Sequence, residues 1–263
     1  MLEVLKALIL GVVQGLTEFL PVSSSGHLEI ARYLLKDEST AEVGLLMSVV
    51  LHFGTALATV FVFRKDIFNI LTNAFSGESD SRNFILWILV SMIPAAFVGV
   101  FFDEILEQLF NKNLLLVGSM LLVTAALLWF SDHKYESTRK LNISNSFIIG
   151  LAQALAILPG ISRSGATIST ALFLKIPRAD AARFSFLMVV PLIFGKIFKD
   201  LISGNLSNSD LNFMALGVGF FAAFISGTLA CLWMIRIVKR AKLRYFAFYC
   251  VVVGLLAIGI QAI

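Results

Sequence analysis

Charge is scarce in this chain. Asp, Glu, Lys and Arg make up 14% of its 263 residues, where a soluble domain carries about 25%. Cysteine is rarer still: Cys231 and Cys250 are the two, each inside an apolar run. With no CxxC pair there is no disulfide framework and no thiolate metal site, so both read as small buried hydrophobes. Five prolines leave room for long helices. The first 22 residues lack a basic n-region and an A-x-A-like site, so no cleavable signal is expected.

Apolar side chains fill the gap. They account for 58% of the chain, with 24 Phe, and the mean hydropathy is +0.89. The net charge of +4 would fit nucleic acid in a soluble protein. Here the basic residues flank apolar runs, which makes them topology signals and excludes nucleic acid as a partner.

A membrane span needs about 17–25 apolar residues. Six runs meet or approach this: 43–63, 84–102, 114–130, 184–202, 211–235 and 245–262. Two further regions are apolar but interrupted. Residues 4–20 break at Pro21 and Ser23-Ser24-Ser25-Gly26 and resume at 28–35; residues 145–158 break at Pro159-Gly160 and Ser162-Arg163-Ser164-Gly165 and resume at 166–174. Each half is short for a crossing, so each region is expected to be a re-entrant helix hairpin. Broken helices at membrane depth are tolerated where they are buried in protein or line a cavity.

The two regions also resemble each other. A shift of 139 residues places Gly11 on Gly150, Gln14 on Gln153, Ser23 on Ser162, Ser25 on Ser164 and Gly26 on Gly165 without a gap. Three spans separate the hairpins, an odd number, so the second enters from the opposite face. The expected fold is therefore an all-α integral membrane domain. It is an inverted-topology repeat of six transmembrane helices plus two re-entrant hairpins, with repeat 1 at about 1–131 and repeat 2 at about 143–263. Most of the 21 Lys and Arg residues then fall on one side, among them Arg64, Lys65, Arg178, Arg183 and Arg240. The positive-inside rule makes that side cytoplasmic and puts both termini outside.

Chemistry concentrates at the two breaks. Gln14 and Glu18 lie at i, i+4 and share a helix face. A carboxylate within an apolar helix costs about 2.5–3.5 kcal/mol on insertion scales and marks a functional site unless a cation pairs it for structure alone. Ser23, Ser24, Ser25 and Gly26 at a helix break can cap the helix or cradle an anion. His27 can act as acid, base or nucleophile near neutral pH, or be a satisfied buried histidine. In the second break, the Arg163 guanidinium suits bidentate phosphate binding, with Ser162, Ser164 and Thr167 to complete a cradle. Carboxylate, hydroxyls and imidazole on one side and a cation on the other compose a phosphate-handling site. Glu18 with Gln14 is a candidate anchor for a hard divalent cation, which takes one or two carboxylates plus substrate phosphates.

Other polar residues read as structural. His52, inside a span, is expected to be packed and hydrogen-bonded; Lys196 and Lys199 to reach a span end; Asp103, Glu104 and Glu107 to be solvated. Residues 67–76 are expected as a short interfacial helix. The basic loop Arg236 to Arg244 suits anionic headgroups of membrane lipids.

The stretch from Gln14 to His27, QGLTEFLPVSSSGH, resembles the first signature of the undecaprenyl-diphosphate phosphatase family, also called the bacitracin-resistance family. Pro159 to Thr167, PGISRSGAT, resembles its second, PGxSRSxxT. The likeness runs along essentially the whole chain. It implies hydrolysis of undecaprenyl diphosphate, a polyprenyl diphosphate lipid, to the monophosphate and inorganic phosphate. It also implies a divalent-cation requirement (Mg²⁺ or Ca²⁺), a bacterial plasma-membrane location, a site open to the outer face, and a link to bacitracin resistance. The family's first motif is (E/Q)xxxE, so Gln14 leaves one carboxylate here where two are common; Ser25 stands where Thr is common.

On these expectations Arg163 binds the diphosphate, with Ser23, Ser25, Ser162, Ser164 and Thr167 around it. Glu18, with Gln14, positions the cation. Either Ser24 attacks with His27 as its base, or His27 activates water. The competing reading is an inverted-repeat transporter or flippase of a lipid phosphate, which needs a binding site but neither nucleophile nor base.

Overall fold

The computed structural model describes residues 1–37, 41–102, 113–132, 139–202, 212–240 and 242–262, without the side chains of 41, 42, 196, 197, 199–202, 239, 240 and 262. Every regular element among them is a helix: α1 (Leu2–Phe19), α2 (Ser24–Leu34), α3 (Ala41–Phe75), α4 (Ser79–Phe101), α5 (Leu114–Ser131), α6 (Ile143–Leu155), α7 (Arg163–Phe173), α8 (Arg178–Ile202), α9 (Phe213–Arg240) and α10 (Arg244–Ala262). Five of these, α3, α4, α5, α9 and α10, are long and apolar enough to cross a membrane. Large apolar side chains such as Leu89, Phe97, Phe130, Phe221 and Leu255 point outward from them, an arrangement stable only against lipid. The chain is a multi-pass helical membrane protein.

The sixth expected run, 184–202, falls in α8. Its side chains at 196 and 199, like Asp103, Glu104 and Glu107, lie outside the described set. Residues 67–76 differ from expectation. They form no separate helix, because α3 continues unbroken to Phe75; no proline or glycine follows Gly54 within it to stop the hydrogen-bond ladder.

Both expected breaks occur, and local chemistry sets their limits. Helix α1 ends at Phe19, and Leu20 turns extended at ψ 142°, as a residue before proline does. The chain becomes helical again at Ser24 because Ser23 caps the new helix, its Oγ accepting from Gly26 N at 3.3 Å. In the second break Gly160 takes φ +100°, and an added Cβ there would lie 2.4 Å from the Val117 carbonyl oxygen. Ser162 then caps α7, accepting from Gly165 N at 3.1 Å. Both helices thus restart three or four residues before the apolar pattern resumes, a shift that serine capping explains.

Packing crosses the chain. Helix α1 lies mainly against α9, and α6 mainly against α4. Gly11 and Gly150 make these contacts: a Cβ would lie 2.4 Å from the Gly219 carbonyl oxygen at the first and 2.3 Å from that of Ser91 at the second. The core between them is aromatic. Phe19 meets Phe186 edge-on at 6.0 Å, and Phe84 meets Phe184 at 5.9 Å. At one end of the bundle Asp66 of α3 accepts two hydrogen bonds from Arg183 of α8, at 2.7 and 2.6 Å. Nearby in sequence to α5, Asp132 accepts from Arg178 at 2.9 Å and from Arg244 at 3.3 Å, joining α5, α8 and α10.

Candidate active site

Glu18 occupies the last turn of α1 with its side chain 4% exposed. At that burial a lone carboxylate would be costly; this one collects three donors. Arg163, at the first position of α7, pairs with Oε1 through Nη2. Ser24, at the first position of α2, donates to Oε2 at 2.6 Å, and Gln14 Nε2 donates to the same oxygen at 2.9 Å. The two breaks, 145 residues apart at this pair, therefore meet on one carboxylate.

The remaining hydroxyls divide by task. Ser23 is a cap with φ +71°, a backbone region that costs a non-glycine residue about 1–3 kcal/mol and that the surroundings must enforce. Its Oγ is 3.4 Å from Ser25 Oγ. Ser162 caps α7 and lies 3.3 Å from Ser164 Oγ; Ser164 in turn donates to the Leu20 carbonyl at 3.3 Å, tying the second break to the first. Thr167 shares a 2.6 Å hydrogen bond with Ser185 of α8. The second break is anchored from α5, where Thr124 Oγ1 accepts from Ser162 N at 2.9 Å and donates to the Gly160 carbonyl at 3.0 Å.

His27 stands apart from Ser24. Its Nδ1 lies 2.8 Å from the Ser23 carbonyl oxygen and its Nε2 lies 2.8 Å from Tyr249 Oη of α10. The Ser24 hydroxyl is given to Glu18.

A small open cleft adjoins the Glu18–Arg163 pair. Its polar wall adds Thr55 and Thr59 of α3 and Ser185 of α8 to Ser164; its apolar wall is Phe19, Phe186, Val189 and Ile193. Such a wall sets polar groups beside an apolar surface. Sequence reasoning did not single out Thr55, Thr59 or Ser185. Thr55 and Thr59 carried a signal, two hydroxyls at i, i+4 on one face of an apolar run. Ser185 carried none, because only packing brings α8 here. His52, as expected, hydrogen-bonds through Nδ1 to the Ser48 carbonyl at 2.8 Å.

For a divalent cation the donor set is hard oxygen. No group of three His, Cys, Asp or Glu side chains converges among the described residues. Gln14 presents Nε2 to Glu18 and leaves Oε1 buried without a hydrogen-bond partner; the amide turned over would set that open acceptor beside the carboxylate. One carboxylate and one amide oxygen fit an ion that takes its other ligands from substrate phosphates and water.

Known proteins match the chain along nearly its whole length. The model of the bacitracin resistance protein BacA family matches residues 7–256. An undecaprenyl-diphosphatase of Christiangramia forsetii is 55% identical over 258 residues, covering 98% of each chain. One of Bacteroides fragilis is 48% identical over 99% of each chain, and one of Korarchaeum cryptofilum is 40% identical over 97% of this chain and 98% of its own. With its two breaks joined at Glu18 and a family match spanning both, the chain belongs to the bacitracin resistance protein BacA family.

Proposed function

We propose that this protein hydrolyses undecaprenyl diphosphate to undecaprenyl phosphate and inorganic phosphate, with Glu18, Ser24, His27 and Arg163 as its reactive centre. The observation that carries the reading is the meeting of Arg163 and Ser24 on Glu18: a fixed cation and a polarised hydroxyl share one carboxylate, and the carboxylate and the cation line a half-apolar cleft.

Arg163 holds the diphosphate and stabilises the charge that builds on the transferring phosphoryl group, where most of the catalysis of phosphoryl transfer lies. Ser164, Ser162 and Thr167 shape the second break around it, and Ser23 and Ser25 the first. Ser24 is the serine whose proton already points at a carboxylate. As Ser24 Oγ bonds to the terminal phosphorus, the bridging P–O bond breaks, lipid monophosphate leaves, and Glu18 takes the hydroxyl proton. Water then bonds to the phosphorus of the phosphoserine, His27 takes its proton, and the Ser24–phosphorus bond breaks. Glu18 returns the proton to Oγ and inorganic phosphate departs. A divalent ion, Mg²⁺ or Ca²⁺, held by Glu18 and Gln14 would supply further neutralisation of the substrate's negative charge.

The surrounding architecture is read as an inverted repeat of six spans, α8 being the sixth, with α1–α2 and α6–α7 as the re-entrant hairpins. Three features support it: the 11-residue helices α2 and α7 start at equivalent positions under equivalent serine caps; α1 and α6 pack on each other's opposite halves; and Gly11 and Gly150 make matching close contacts. On the positive-inside rule the basic end carrying Arg178, Arg183 and Arg244 supports a cytoplasmic assignment for that end, and with it a site open to the outer face of a bacterial plasma membrane and both termini outside.

Phosphate release from undecaprenyl diphosphate by purified protein in detergent, with and without EDTA, parent against His27→Ala, tests this reading. It predicts metal-dependent release that the variant loses. A folded parent that releases no phosphate across several metals and lipids would make the site a binding site without a reaction, as in a lipid-phosphate transporter.

A further inference from the structure

Hydroxyls from three helices line the cleft beside the Glu18–Arg163 pair: Thr55 and Thr59 of α3, Ser164 of α7 and Ser185 of α8. All are buried. What each can offer a ligand depends on where its hydrogen goes. Thr55 gives its hydrogen to the His52 carbonyl at 2.9 Å, and Thr59 gives its own to the Thr55 carbonyl at 3.1 Å. Ser164 donates to the Leu20 carbonyl at 3.3 Å. These hydroxyls have lone pairs left for a ligand, not a hydrogen, which suits an anion poorly.

Ser185 differs. It hydrogen-bonds to a side chain, Thr167 Oγ1 at 2.6 Å, and either oxygen of that pair can be the donor. Thr167 has a second acceptor, the Arg163 carbonyl at 2.8 Å, one turn back on α7. The pair therefore has two proton arrangements. In one, Thr167 donates to the Arg163 carbonyl and Ser185 donates to Thr167. In the other, Thr167 donates to Ser185, and the Ser185 hydrogen is free for a ligand in the cleft. The second arrangement gives up one neutral hydrogen bond. It is favoured once an anionic oxygen receives the Ser185 hydrogen, because a charge-assisted bond is roughly twice as strong as a neutral one. The cleft has room for about one water-sized group, the size of a phosphoryl oxygen.

We propose that Ser185 is a further substrate-binding residue: its hydroxyl donates to an oxygen of the phosphoryl group that Arg163 holds, and Thr167 stands behind it and donates to Ser185 in turn. The proposal rests on the reading of Arg163 as the holder of the diphosphate. A hydrogen bond to a phosphate oxygen is present in the bound substrate as well as in the transition state. Its loss therefore raises KM and leaves kcat nearly unchanged. Thr167 acts through Ser185, so the two residues are coupled.

The test measures kcat and KM for phosphate release from undecaprenyl diphosphate, with the melting temperature, on purified full-length protein in detergent. The variants are Ser185→Ala, Thr167→Val, the two combined, and Ser169→Ala. Ser169 is the control: it is a buried serine of the same helix as Thr167, paired with Ser131 Oγ at 2.9 Å, so its loss also breaks a hydroxyl pair. Ser185→Ala is expected to raise KM about tenfold with kcat within about twofold. Thr167→Val should raise KM severalfold alone and add nothing to Ser185→Ala. Ser169→Ala should lower the melting temperature as much as Ser185→Ala does, with KM near that of the parent. A parent-like KM in folded Ser185→Ala overturns the proposal, and so does an equal rise of KM in Ser169→Ala, which would make the effect a general loosening of α7. If Ser185→Ala does not fold, Thr167→Val decides: a parent-like KM there overturns the proposal. Parent protein that releases no phosphate overturns the phosphatase reading and the role of Ser185 with it. An active parent beside a parent-like Ser185→Ala removes Ser185 alone.

Discussion

Ser24 and Arg163 occupy matching places in the two halves of the chain, each the first residue of an 11-residue helix under a serine cap, and each donates to a different oxygen of Glu18. Two similar helix starts thus present a hydroxyl and a guanidinium to a single carboxylate.

The three serines of the first break should separate in their kinetics. Ser24→Ala is expected to lower kcat for phosphate release about a hundredfold or more, since it removes the hydroxyl polarised by Glu18. Ser23→Ala removes a cap worth about 1 kcal/mol and should lower the melting temperature in detergent more than it lowers kcat. Ser25→Ala should cost severalfold at most. Equal kinetic losses at all three positions would contradict the assignment of Ser24.

Gly11 and Gly150 should be intolerant of a single methyl group. A Cβ would come within 2.4 and 2.3 Å of backbone oxygens on α9 and α4, and such overpacking costs about 1–3 kcal/mol or more. Gly11→Ala and Gly150→Ala should each melt well below the parent in detergent. Gly99→Ala and Gly217→Ala, where a Cβ meets nothing within 4 Å, should melt like the parent.

Asp132 gives the fold a pH dependence at its charged end. Burial pushes its pKa up, but hydrogen bonds from Arg178, from the backbone at Leu243 and Arg244 and from the Arg244 side chain outweigh that and hold it below the ordinary carboxylate value. A depressed folded value means that the stabilisation is complete above the unfolded pKa, about 3.9, and is lost as pH falls through the lower folded value. Parent protein should therefore melt higher than Asp132→Asn by a constant margin from neutral pH to about 5, and the margin should shrink below about 4. A margin that is unchanged in acid would place the stabilisation elsewhere.

Much of this arrangement could be read before any coordinates. Pro21 and Pro159-Gly160 announce the breaks because neither can continue a helix unaided, and a carboxylate and a guanidinium in apolar surroundings demand each other. What was illegible depends on packing between distant segments. Tyr249 has no local mark distinguishing it from Tyr245 one turn earlier; only the contact of α10 with the first break does. Ser185 reaches the cleft because α8 packs on α7. Asp66 and Asp132 read as ordinary interfacial acids until α8 and α10 bring arginines to them. The direction of the Ser24 hydroxyl toward Glu18, with His27 turned to Tyr249, also lies beyond sequence, since the order SSSGH allows either pairing.

The most direct test is phosphate release from undecaprenyl diphosphate by Arg163→Lys. An ammonium keeps the charge, but a single nitrogen cannot serve Glu18 and clasp a diphosphate with the planar fork of arginine. The account predicts a fall in kcat/KM of about a hundredfold, with the protein still folded because the pair with Glu18 keeps its charge balance. Near-parent turnover by Arg163→Lys would contradict it, reducing Arg163 to a structural counter-ion and moving the phosphate site away from the meeting of the two breaks.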